Sequence, residues 1–145
     1  MDRRMLIQQV LTGTTVLIVA PVLFSACEKT RFVPEEPAAK GPDIKNNLII
    51  DLSLGENAVL SATGGSKIVN GIIIINTGNG GFAALASTCT HEGAQVEYNS
   101  DSGNIQCDNH GSVFSLSGTV LKGPAVAPLK SYIITKTGNT LTIKG

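Results

Sequence analysis

Cys89-Thr90-His91-Glu92-Gly93-Ala94 and Cys107-Asp108-Asn109-His110-Gly111-Ser112-Val113-Phe114 are the two stretches that decide how this chain is read. Each holds one cysteine and one histidine, spaced Cys-x-His and Cys-x-x-His, with 15 residues between His91 and Cys107. His91 and His110 are the only histidines in the 145 residues. Two thiolates and two imidazoles make a complete set of metal donors, and that set suits both tetrahedral zinc and iron–sulfur centres. Zinc modules pair like with like, C-x-x-C followed by H-x-x-x-H, whereas here each pair is mixed. A mixed pair leaving one turn can give its thiolate to one metal and its imidazole to another.

A third stretch, Gly123-Pro124-Ala125-Val126-Ala127-Pro128-Leu129, follows in the same order. Together the three resemble the Rieske family, over about Asn46 to Gly145, two thirds of the chain. The resemblance implies a 2Fe-2S cluster in which Cys89 and Cys107 ligate one iron, His91 and His110 the other, and the proline loop covers both. It implies electron transfer at moderate potential, because neutral imidazoles in place of two thiolates leave the cluster less negative and easier to reduce. Ser112 matches the serine that donates a hydrogen bond to a cluster sulfur; Gly111 and Pro124 stand with it immediately behind the ligands.

The departures from the family pattern matter too. In quinol-oxidising members a disulfide joins the two ligand loops, and its cysteines would fall at Ala94 and Asn109. A leucine that helps docking at a quinone pocket is replaced by the charged Glu92, and Phe114 stands where tyrosine would donate a second hydrogen bond. Donors to sulfur raise the potential, so one donor without the other predicts a value between the extremes. Glu92 and Asp108 read as solvated loop charges that would lower the potential if they were close and ionised.

Upstream, residues 1–26 read as an export signal: Arg3-Arg4, an apolar run from Val10 to Phe24, then Ser25-Ala26. Arg3-Arg4 with Met5-Leu6-Ile7 resembles a twin-arginine signal, a route for folded proteins that suits a cofactor inserted in the cytoplasm; a Sec signal is the alternative. Leu23-Phe24-Ser25-Ala26-Cys27 resembles a bacterial lipobox, which makes Cys27 the expected lipidation site and the mature protein a lipid-anchored envelope protein facing the periplasm. Glu28 leans toward the outer membrane over the inner. Met5 to Ala26 is also just long enough for an uncleaved transmembrane anchor, blemished by Gln8, Gln9 and Pro21.

Residues 27–45 contain Pro34, Pro37 and Pro42 among charged and small residues, the composition of an extended tether. Residues 46–145 are enough for one domain. Their short β-rich runs predict an all-β fold, a small antiparallel β domain with two cluster-binding hairpin loops and a proline loop. Strands are expected over Leu48–Leu52, Lys67–Val69, Ile72–Asn76, Phe82–Ser87, Gln95–Tyr98, Ile105–Cys107, Ser131–Lys136 and Thr140–Lys144. Asn70-Gly71 suits a tight hairpin, Gly78-Asn79-Gly80-Gly81 and Asp101-Ser102-Gly103-Asn104 longer loops. Ile72 to Ile75 is continuous, as in a strand buried on both faces.

Without residues 1–26 the chain carries nine basic and ten acidic residues, a formal charge of −1. With few aromatics and no basic patch, it has no apparatus for nucleic acid. A Rieske oxygenase needs a second, mononuclear iron held by further histidines, and both histidines are already committed. The sequence therefore predicts a one-electron carrier whose chemistry sits on protein redox partners, in a membrane-anchored assembly. A ferredoxin-type donor to an oxygenase, or a structural envelope lipoprotein with the same fold, are the other readings.

Overall fold

The structure, a computed structural model, describes residues 41–145. The expected signal, Cys27 and the tether up to residue 40 lie outside the described residues. Ten strands and one 3-10 helix run in the order β1 (Leu48–Asp51), the 3-10 helix (Gly55–Ser61), β2 (Ser66–Val69), β3 (Ile72–Gly78), β4 (Gly81–Ala86), β5 (Glu97–Asn99), β6 (Asn104–Cys107), β7 (Ser112–Phe114), β8 (Val120–Lys122), β9 (Ile133–Thr137) and β10 (Thr140–Lys144). They form three antiparallel sheets, ordered β1-β10-β9, β2-β3-β4 and β5-β6-β7-β8.

The isoleucine run explains how the layers stack. Successive side chains of a strand point to opposite faces, so Ile72 and Ile74 face one way, Ile73 and Ile75 the other. All four are buried to 1% exposure or less. Ile72 and Ile74 enter one core with Ile50, Leu60, Ala84, Ala86, Tyr132, Leu141 and Ile143. Ile73 and Ile75 enter a second with Leu85, Val96, Ile105, Phe114, Leu129 and both Cys89 and Cys107. The β2-β3-β4 sheet is thus the middle layer, with the β1-β10-β9 sheet on one face and the ligand-bearing sheet on the other.

The turns follow their chemistry. Asn70-Gly71 joins β2 to β3 with φ of 51° and 77°, the doubly positive geometry that Asn-Gly tolerates. The β3–β4 connection is tighter than the expected loop: Gly78 pairs with Gly81, leaving only Asn79 and Gly80, both at positive φ, beyond an irregularity at Asn76–Gly78. Asn76 uses its side chain twice at that point, accepting from the Gly78 N–H and donating to Leu60 O at 2.8 Å.

Three elements were not anticipated. β7 and β8 are three residues each, and the 3-10 helix has no side-chain cap at its start. The helix is held from outside, by Asn76 on Leu60 O and by Lys67 on Glu56 O and Asn57 Oδ1. Two expected strands are shorter than their β-rich runs: Gln95 and Ser131 make only isolated bridges, to Thr88 and Leu85.

Candidate metal centre

Both ligand stretches fold into the same five-residue turn. The Gly93 N–H donates to Cys89 O and the Gly111 N–H to Cys107 O, each at 2.9 Å, closing an i to i+4 ring. The closing glycines have φ of 83° and 75°, a region that penalises any Cβ. Histidine is third in the first turn and fourth in the second. The first turn leaves the edge of β4 through Ser87 and returns where Cys89 N donates to Ala94 O at 2.7 Å. The second is the β6–β7 connection, in register because Cys107 pairs with Ser112.

This placement separates the two donor types. Cys89 and Cys107 are free thiols, each 2% exposed and packed in the apolar core. His91 and His110 lie on the surface, their ring centroids 5.0 Å apart and their planes at 88°. Burial pushes the Cys89 thiol up in pKa, the His91 N–H pulls it down, the Cys107 thiol adds to the rise and the Ser112 hydroxyl again lowers it. Both thiols lie in the same core cluster.

Ser112 is fully buried, and its oxygen accepts the Ala125 N–H at 3.0 Å. The proline loop therefore rests on the residue behind the second turn. Its Ala125 and Ala127 point inward while Val126 between them is 81% exposed. Pro124 is exposed and follows a cis peptide bond after Gly123. Thr90 ties the first turn to the same loop, donating to Ala127 O at 2.6 Å. No sequence signal told which carbonyl, 37 positions away, that hydroxyl would find. Around the histidines, Glu92 Oε2 lies 3.5 Å and Asn109 Nδ2 3.0 Å from His110 Nδ1. Glu92 thus reaches a ligand candidate across the two turns, while Asp108 stays exposed. His91, Glu92 and His110 can also be counted as a small cation-binding trio.

Comparison with known proteins decides between zinc and iron–sulfur. The family model of the Rieske [2Fe-2S] domain matches residues 49–133, more than half of the chain. The chain belongs to the Rieske family. The chain is 28% identical over 133 residues to the cytochrome b6-f complex iron-sulfur subunit of Chlorobaculum tepidum, covering 90% of this chain and 68% of that protein. It is 27% identical to the corresponding subunit of Chlorobaculum thiosulfatiphilum, covering 98% and 75%. Among solved structures, the cyanobacterial plasma membrane Rieske protein of Synechocystis PCC 6803 matches with a TM-score of 0.53 and 34% identity, over 61% of this chain and 93% of that one.

The cofactor of this Rieske domain is a 2Fe-2S cluster and its work is electron transfer. The residues present fit that group. Two buried thiols in one core cluster, two surface imidazoles and a buried hydroxyl are the donor set that such a cluster requires.

Proposed function

We propose that Cys89 and Cys107 hold one iron and His91 and His110 the other, and that the Rieske domain passes single electrons between protein redox partners at the cell envelope, as a subunit of a larger redox assembly. The observation that carries this is the difference in burial: both cysteines are 2% exposed and both histidines face solvent. When bound, the cluster takes up and gives back one electron. The residues decide where it travels. The cysteine side is sealed by the core, so partners meet the imidazole edges, and Val126 of the proline loop offers an exposed apolar contact. An imidazole that keeps one ring N–H outside can also couple the electron to a proton.

The cytochrome b6-f subunits among the relatives support an assembly role. Arg3-Arg4 and the lipobox ending in Cys27 support a lipid anchor. Ala94 and Asn109, which cannot form the disulfide of quinol-oxidising members, favour the second reading, a ferredoxin-type donor to an oxygenase.

An EPR-monitored redox titration of the native protein, with iron and sulfide counted on the same sample, separates the two readings. A Rieske signal titrating well above 0 mV supports the envelope assembly, and one near the family floor of about −150 mV supports the ferredoxin reading. His91→Ala is expected to abolish the signal; a normal Rieske spectrum in that variant would refute the ligand assignment. Cys27→Ala is expected to release the protein from the membrane fraction, and unchanged fractionation would refute the lipid anchor.

A further inference from the structure

We infer that Thr90 is a positioning residue: its hydroxyl, with that of Ser112, clamps the proline loop across both ligand turns and holds together a pocket that no disulfide closes. The inference rests on the ligand assignment above. The two turns come from different parts of the chain, and the positions at which a covalent clamp would sit are Ala94 and Asn109. Beside the exposed 3.5 Å approach of Glu92 to His110, a third segment joins the turns. From the first turn, Thr90 Oγ1 donates to Ala127 O at 2.6 Å; from behind the second, Ser112 Oγ accepts the Ala125 N–H at 3.0 Å. The two bonds grip alternate residues, Ala127 and Ala125, whose inward side chains are 6% and 3% exposed. The loop is pinned on both sides of the outward-facing Val126.

The two hydroxyls differ in what else they do. Ser112 accepts from Ala125, so its own proton remains free for the cluster sulfur that the family's serine serves. Thr90 spends its proton on the loop carbonyl and gives nothing to sulfur. Removing the Thr90 bond therefore loosens the cover without changing the donors around the sulfur. Removing Ser112 does both.

The test uses the cluster-loaded protein and three variants, Thr90→Val, Thr90→Ser and Ser112→Ala, with Ser53→Ala as a control that breaks an exposed hydroxyl contact to Asp51, outside the loop and both turns. Loss of the visible cluster spectrum in excess iron chelator is followed alongside amide exchange at Ala125–Ala127 and at Ile72–Ile75. Thr90→Val is expected to lose the cluster about five- to tenfold faster, the ratio that one hydrogen bond of ordinary net strength controls. Its loop amides should exchange faster while those of Ile72–Ile75 do not. Thr90→Ser should restore the slow rate, and Ser53→Ala should leave it unchanged. The midpoint potential should fall in Ser112→Ala and hold in Thr90→Val.

A wild-type rate of cluster loss in Thr90→Val, or equal acceleration of exchange at Ile72–Ile75, overturns the clamp. If Thr90→Val takes up no cluster, exchange confined to the loop still supports the clamp, and exchange raised throughout overturns it. A wild-type protein that binds no 2Fe-2S cluster overturns the ligand assignment instead, while loop exchange in Thr90→Val continues to report on the clamp.

Discussion

At the scale of single residues, the site depends on backbone conformation as much as on ligand identity. Gly93 and Gly111 close their turns at positive φ, and a Cβ at Gly111 would meet nothing within 4 Å. Space is therefore not the objection to a side chain there; the left-handed conformation is. Gly111→Ala is expected to destabilise the domain by about 1–2 kcal/mol, and Gly111→Asn by less, because asparagine visits that region more readily. Chemical denaturation of the two variants checks the order. The four candidate ligands stood out in the sequence because cysteine and histidine are scarce in it and their spacing is short. Thr90 was not, since a hydroxyl between two ligands has no sequence mark that names its acceptor. Glu92 was read as a solvated loop charge, and it is indeed largely exposed; its 3.5 Å approach to His110 depends on how the two turns meet in space, which local sequence does not encode.

At the scale of elements, β3 sets the order of the layers. Its unbroken isoleucines were readable as a strand covered on both faces, and the structure assigns each face to a different core. This gives a paired prediction. Ile73→Ala and Ile74→Ala should each cost about 2–5 kcal/mol in stability, the usual range for such truncations. Only Ile73→Ala removes packing from the core that contains Cys89 and Cys107. Denaturation curves should therefore be similar for the two, while cluster retention during purification should drop for Ile73→Ala alone. β7 and β8 escaped the sequence because three residues cannot establish a period of two, and because Ser112-Val113-Phe114 was already absorbed by the ligand motif. The 3-10 helix escaped for another reason. Its partners are Lys67 and Asn76 on later strands, so nothing within Gly55–Ser61 announces it.

At the scale of the whole molecule, the described chain begins where it is fastened to the domain. Tyr132 donates to Pro42 O at 2.7 Å, and Lys130 pairs with Asp43 at 2.8 Å. Lys130, bonded to Asp43, holds that carboxyl below the usual carboxylate range, and Asp43 holds the ammonium above the usual lysine value. A lowered carboxylate pKa contributes stability above its unfolded value of about 3.9 that disappears as pH falls through the lower folded value. Thermal melts of wild type and Asp43→Asn should differ by a small, constant shift near neutral pH and converge at acid pH, with salt shrinking the difference because the pair is solvent-exposed. Tyr132 itself belongs to the core on the Ile74 face of the middle sheet. The core around Leu60, Ile74 and Leu141 contains no cysteine, no histidine and none of the groups that would touch iron. That half of the hydrophobic interior is therefore built from groups that would not touch the cofactor. The chain carries its own workbench: a base that holds shape on hydrocarbon alone, presenting two open turns to whatever delivers the metal.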